Sequence, residues 1–573
     1  MEPNCLLQPK RLLFLSFLPF FIWLIMVLKL QATYVSAVES DALAMINILF
    51  PYFWIILALL ISICLYAFYR KDSPSWLHVI LLVQLSLMLY YTPFLLGGFS
   101  WSPDSLWHGG VAEYIPALLT GSKYVLTDYG QSYPLSFLVT YGVEKLLRVN
   151  IQTYSLYIFP PLCIALFSSL AYLFLSRISN KSTAFIAMLL ALPALHYFEP
   201  HVSPFATGTV LLLVSLLLLT YTGTKAAILN LLVIAALVLT HPVSPIFLGL
   251  YVSSVLLVSL TQVRRDFLKS KATRSFVRVN VVLLFVFLII FWSYWTFYKV
   301  APNYVGVKTP VANILNLNFI TNLVNAVEWT AGGQGFIYPL ISHLSLFIYA
   351  LFMVGVLAVF VFNLFKIIKK KDTLTTVRIE LALTAILSAA MSYLLFSSSG
   401  ERFLLGRGLI FFLLLGSACI ATYISRDRPK RFRVQTAASF VFILFLVCTF
   451  PIIAYSKEAY NTFTPPAETG LVFISTKVDL SNKTISMTSD QQLASYADLT
   501  KGLNLVDFPP NLTRQKPDLV VMRINSYYFI AMRYDLSFFN NSYTALYDKL
   551  ADDTSYNRIY SNSQFEVYIR PEN

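Results

Sequence analysis

Asp104 and His108 stand four residues apart in "FSWSPDSLWHGG", residues 99–110, directly after an apolar run long enough to cross a bilayer. Ser102 suits a helix N-cap and Pro103 the first helical position, so the spacing predicts a helix with Asp104 in its first turn and His108 one turn on, on the same face. A carboxylate there complements the helix dipole. Flanked by Trp101 and Trp107 at a membrane interface and partly desolvated, it also suits a general base. Both readings stand on the sequence. Further on, "HYFEPHVSPF" carries Glu199 and His201, an acid and an imidazole fit for one divalent ion or one hydrogen-bond network, or for a polar hairpin alone. "SSSGERFLLGR" brings Glu401, Arg402 and Arg407; a guanidinium's planar fork suits a phosphate, and an internal Glu401–Arg pair is the competing explanation. His241 in "THPVSP" reads as a helix-end residue more readily than as a ligand. Lys145 and Arg148 could hold a lipid phosphate or snorkel along an interfacial helix.

These residues must be positioned by a membrane bundle. The chain has 573 residues, 57% of them apolar and 12% charged. Apolar runs fall near 12–31, 44–67, 76–97, 152–176, 183–198, 203–221, 226–241, 246–263, 279–299, 341–363, 379–397, 408–424 and 435–455, which makes thirteen expected spans. Lys10 and Arg11 before the first run resemble a signal peptide with Val35-Ser36-Ala37 as a cleavage site, but the run is longer than a signal core and reads as a retained span. The net charge of +14 gathers in alternate loops, among them "KIIKKKD" and "SRDRPKRFR", with no basic stripe for nucleic acid. Those loops are cytoplasmic by the positive-inside rule, so the N-terminus lies inside and the C-terminal tail outside, with a plasma membrane expected. Nearly all the candidate residues then fall on the outer side. Five scattered cysteines exclude a disulfide framework.

The first outer loop, 98–151, reads as two amphipathic helices around a turn, with "DYG" at 128–130 in the turn. The loop at 300–340 contains Glu328 and "AGGQG", glycines that suit a lid or a plain connector. After residue 455, β-rich runs ("GLVFIST", "DLVVMRI", "FEVYIR") alternate with helical ones, predicting a small α/β domain at 456–573 that contains no histidine and serves to bind an acceptor or brace the loops. Its "NKT", "NLT" and "NNS" triplets are compatible with an outer location.

A span ending in a long outer loop that opens on "SPDSLWHGG" and closes on "DYGQSYPLSFL", with Tyr133-Pro134, resembles the GT-C glycosyltransferases, which take sugars from polyprenyl-phosphate donors. The resemblance implies a GT-C-like bundle at 1–455, with two extra N-terminal spans, and an acid in the first loop, which here is the single Asp104 and not an Asp-x-Asp pair. It implies a second acidic motif where Glu199 and His201 stand, and a possible divalent cation, Mg or Mn. The expected function is an inverting membrane glycosyltransferase with Asp104 as base, assisted by His108. Arg402, Arg407, Lys145 and Arg148 are the candidate donor-phosphate residues. Its partners would be a polyprenyl-phosphate sugar, membrane lipid and a glycan, lipid or protein acceptor. A transporter or lipid flippase, which internal repeats or charges at mid-span would favour although the sequence shows neither convincingly, and a non-catalytic scaffold are the rival expectations.

Overall fold

The computed structural model describes residues 8–37, 44–70, 73–97, 103–113, 115, 130, 132–196, 198–221, 223–266, 273–300, 337–369, 373–399, 402–424, 429–455, 473, 484–487, 504–506, 519–523, 557–561 and 565–570. The helices are α1 (Pro9–Ala37), α2 (Ala44–Leu49), α3 (Tyr52–Tyr69), α4 (Ser75–Tyr90), α5 (Thr92–Gly97), α6 (Pro103–Glu113) and α7 (Pro134–Leu147). There follow α8 (Phe159–Ile178), α9 (Lys181–Ala191), α10 (Pro204–Leu218), α11 (Thr224–Thr240) and α12 (Ser244–Asp266). The last are α13 (Thr273–Ser293), α14 (Ile337–Lys369), α15 (Thr373–Ser399), α16 (Arg402–Ile424) and α17 (Pro429–Tyr455).

Among the described residues, seven helices are long and apolar enough to cross a membrane: Pro9–Val35, Tyr52–Tyr69, Tyr154–Ile178, Val281–Val300, His343–Leu364, Thr376–Leu395 and Arg407–Ile424. Six shorter apolar helices lie on the remaining predicted runs. The chain is an integral membrane protein of mainly helical build. Leu283, Ile290 and Val354 are exposed on these helices, as side chains facing lipid should be.

The expected spans are interrupted in two places. Run 44–67 breaks into α2 and α3 at Pro51, and run 76–97 breaks into α4 and α5 just before Pro93. Proline has no N–H to donate and crowds the carbonyl four residues back, so each ring ends the preceding helix. The carbonyl freed at the second break is capped from elsewhere: Tyr455, the last residue of α17, donates its hydroxyl to Leu89 (2.7 Å) and also to Met88 (3.3 Å), which accepts from the Thr92 hydroxyl as well. Trp23 of α1 donates to the Thr92 hydroxyl at 2.9 Å, which ties α1 to the same break.

Lipid gives apolar helices no reason to associate, so the interhelical contacts rest on close packing and hydrogen bonds. Ser168 of α8 donates to Ser86 of α4 at 2.6 Å, and Ser215 of α10 to Asn230 of α11 at 2.7 Å. Gly355 of α14 lies under Ile420 of α16, and Gly416 under Val356. Arg378, 1% exposed in α15, donates to the hydroxyl (2.9 Å) and carbonyl (2.6 Å) of Thr422 in α16 and lies over the Tyr423 ring, so this charge is held within the α15–α16 pair.

The tail contributes a five-stranded sheet: β1 (Thr484–Met487), β2 (Asn504–Val506), β3 (Leu519–Arg523), β4 (Asn557–Ser561) and β5 (Phe565–Ile569), in the order β2-β1-β3-β5-β4. The pairs β1–β2 and β1–β3 are parallel, whereas β3–β5 and β4–β5 are antiparallel. Two predicted strands coincide with β3 and β5. β1, β2 and β4 are additions, the first two too short and the third too polar to stand out as an alternating pattern. "GLVFIST" lies outside the described residues apart from Phe473, and so do the predicted tail helices and the sequon asparagines.

Candidate functional site

Helix α6 begins at Pro103, the position the sequence predicts, and packs on α7 and on the turn Ile151–Thr153 that leads into α8. Gly109 permits the approach, since a methyl group there would collide with Ile151. Asp104 therefore sits in the first turn of α6; its side chain, like that of Arg402, lies outside the described part of the structure, as do Glu401, Glu328 and residues 301–336. His108 is 5% exposed and leans on Phe137 of α7, with ring centroids 5.7 Å apart.

Three more groups converge on His108. His201 precedes α10, whose first turn is capped by Ser203 accepting from the Ala206 N–H at 3.1 Å. His241 ends α11, and Arg407 opens the apolar stretch of α16. His201 and His241 are each 1% exposed. Phe205 joins the set: the Arg407 guanidinium lies 5.0 Å from its ring centroid and the His241 ring meets it edge-on at 5.3 Å. Gly208, one turn further along α10, lies directly under Ser244 and His241.

The electrostatics of the cluster are uniform. Burial holds the His108 imidazole well below its ordinary range, and His201, Arg407 and His241 add to the effect. Burial brings His201 down to about 3, with Arg407 the second cause. His241 is lowered well below its usual value by burial and then by Arg407. Three neutral imidazoles thus surround one guanidinium that no neighbouring imidazolium repels. Neutral imidazole N–H groups and a guanidinium together can bind an anion without forming a dense cationic cluster.

The other candidates are placed differently. Glu199 is half-exposed, with Oε2 3.9 Å from His201 Nδ1, too long for a hydrogen bond. Among the described residues no group of three His, Cys, Asp or Glu could hold a metal ion, and Arg407 bears on His201 with a positive charge. The Glu199–His201 pair alone is an incomplete cation site. Lys145 and Arg148 are exposed at the end of α7, with Lys145 3.7 Å from Glu144 and over the Tyr141 ring, and neither is among the groups bearing on the three histidines. His241 is the residue that the sequence undervalued; "THPVSP" between two apolar runs was the available signal. Two indoles also reach the site: Trp292 donates to the Pro242 carbonyl at 3.0 Å and Trp295 to Ser132 at 2.9 Å.

No family model and no curated protein matches the chain. Among solved structures it is similar to ArnT from Cupriavidus metallidurans bound to undecaprenyl phosphate, at 12% identity and a TM-score of 0.44, over 86% of this chain and 97% of that one. It is also similar to the Archaeoglobus fulgidus oligosaccharyltransferase in complex with Zn and sulfate, at 11% identity and a TM-score of 0.46, over 86% of this chain and 73% of that one. Values this low transfer no residue's role.

Proposed function

We propose that the protein is a GT-C-type membrane glycosyltransferase that transfers a sugar from a polyprenyl-phosphate donor to an acceptor on the outer face of the membrane. The observation that carries the reading is the Arg407 guanidinium set among three buried histidines at one end of an apolar bundle. A lipid-linked phosphate has its apolar tail and its charge at opposite ends, and a cation at the end of a bundle of apolar helices matches both. In this reading the helices cross the membrane as the thirteen runs suggest, with residues 456–573 forming an outer soluble domain.

In the reaction, an acceptor hydroxyl oxygen bonds to the anomeric carbon as the bond from that carbon to the phosphate oxygen breaks. The hydroxyl proton passes to the Asp104 carboxylate, and the electron pair leaves with the lipid phosphate, inverting the configuration. Arg407, with Arg402 in the preceding turn, stabilises the charge that develops on the phosphate. His108, one turn from Asp104, lines the same space. Glu199 and His201 are the residues a divalent cation would bind; since they do not complete a site, no step is assigned to it, and chelation followed by Mg or Mn addition tests the point. Lys145 and Arg148, exposed at the end of α7, would meet the donor's lipid phosphate. The cluster's position at helix ends, with the Arg378 charge locked inside the α15–α16 pair, favours this reading over transport.

The test uses isolated membranes carrying wild type or Asp104→Asn, supplied with radiolabelled polyprenyl-phosphate sugars and varied acceptors. Turnover by wild type alone supports the assignment. Equal turnover removes Asp104 from the base's role, and no turnover of any donor overturns the glycosyltransferase reading.

A further inference from the structure

His241 occupies an unusual station. It closes α11 and, through its side chain, caps the start of α12: Nδ1 accepts from the backbone N–H groups of Val243 and Ser244, both at 3.3 Å, and lies 3.1 Å from the Ser244 hydroxyl. The first N–H groups of a helix need acceptors, and a ring nitrogen that accepts cannot also carry a proton. The cap therefore fixes the tautomer, leaving hydrogen on Nε2. The positive end of the α12 dipole further disfavours an imidazolium. Nε2 has no hydrogen-bond partner among the described residues, although His241 is almost wholly buried. The ring is held edge-on against Phe205, the residue that also carries Arg407, and Gly208 leaves no slack beneath it, since a methyl there would come within 3.1 Å of the His241 Cβ. Trp292 holds the following residue by its carbonyl, at the point where α13 passes into the π-helical turn Tyr294–Val300. Such turns occur often at functional sites.

We propose that His241 is a phosphate-binding residue of the candidate site, its Nε2–H a directed donor that shares the anion with Arg407, and that Trp292 positions it through Pro242. The inference rests on the reading of the cluster as a receptor for a lipid-linked phosphate. Its ligand class is a phosphate monoester or diester on a prenyl chain. A guanidinium supplies charge and two parallel donors; an imidazole fixed on a helix cap supplies a third donor in another direction, which discriminates phosphate from a planar carboxylate.

The test measures binding of farnesyl phosphate to the full-length protein in lipid nanodiscs, with farnesol and farnesoic acid as controls. His241→Asn keeps an acceptor near the Nδ1 position, so the α12 cap survives, but has nothing at Nε2; His241→Gln places an amide donor near Nε2. The expected result is roughly tenfold weaker binding by His241→Asn, the loss of about one hydrogen bond to a charged group, with recovery of most of it in His241→Gln. Trp292→Phe should weaken binding several-fold while the protein stays folded. A nitrogen-15 spectrum of labelled histidines should show the Nε2–H tautomer for the resonance missing in His241→Gln. Wild-type affinity in His241→Asn, with Arg407→Gln impaired, overturns the role of His241 alone. Undiminished binding in both variants, or none by wild type, overturns the underlying reading of the site as well. Should His241→Asn fail to insert, equal loss of binding in His241→Gln and wild-type binding in Trp292→Phe would count against a donor role.

Discussion

Replacing Arg407 by Gln tests the centre of the argument. The side chain keeps its polarity and most of its length but loses its charge and its planar fork. A hydrogen bond to a charged group contributes about 1.5–3 kcal/mol, and 1.4 kcal/mol is a factor of about ten, so affinity for the phosphate donor should fall roughly 10- to 150-fold. Part of the loss should appear in kcat, because charge grows on the phosphate as the sugar leaves. Arg407→Lys, which restores a point charge without the fork, should recover part of it. The substitution also has a readout independent of activity. Arg407 is the second cause, after burial, of the low His201 value of about 3. Removing that positive charge must raise the His201 value, while burial keeps it below the usual imidazole range. Initial rates in nanodiscs across donor concentrations measure the first effect, and proton NMR of the histidines over pH 3–8 the second. Unaltered donor kinetics would refute phosphate binding by Arg407, and an unaltered His201 titration would refute the grouping of these side chains.

Four further outcomes are expected. Asp104→Asn should lower transfer at least about 100-fold with normal membrane insertion, as loss of a general base does, measured by radiolabel transfer and protease protection. Gly208→Ala sets a methyl 2.8 Å from Ser244 and 3.1 Å from His241; overpacking of this kind costs about 1–3 kcal/mol, visible in thermal unfolding and in weakened donor binding. Gly408→Ala would overlap Ser392 and press on Phe247, separating α16 from α15 and lowering the melting temperature of the whole bundle. Stability should fall with acidification: His201 binds a proton near pH 6.5 when unfolded but near 3 when folded. The unfolded state therefore holds more protons between those values, so stability is full above about 6.5 and declines as pH drops towards 3. His201→Gln should flatten that part of the melting-temperature profile.

The thirteen apolar stretches were legible, each falling on an apolar helix, because a bilayer imposes a length that a single sequence reveals. Asp104 in the first turn of α6 was legible for a local reason, a serine–proline start. The helix breaks at Pro51 and Pro93 were readable in principle, but long apolar runs mask them in a window average. What could not be read was the meeting of His108, His201, His241 and Arg407, which lie on segments up to 299 positions apart. Their approach depends on how α6, α10, α11 and α16 pack, and apolar surfaces nearly uniform in character encode little of that. His241 looked ordinary because its capping partners are backbone groups of the next helix, which have no signature of their own. In the tail β1 and β2 were missed because their three or four residues take their pairing from distant neighbours, and β4 because "NRIYS" is mostly polar.

The hydrogen bonds from Tyr455 to the carbonyls of Leu89 and Met88 join positions 366 and 367 residues apart. In the order of synthesis, the break that leads into the Asp104 loop is made early, and the hydroxyl that caps it emerges from the ribosome only after nearly the whole bundle. Until α17 is inserted, a nascent chain lacks the donor for the Leu89 carbonyl at the approach to its own site, while the Met88 carbonyl has only the Thr92 hydroxyl. Completion of the break before α6 is thereby made conditional on delivery of α17, so that a chain cut short upstream of Tyr455 is left with an open seam beside the segment that carries its candidate base.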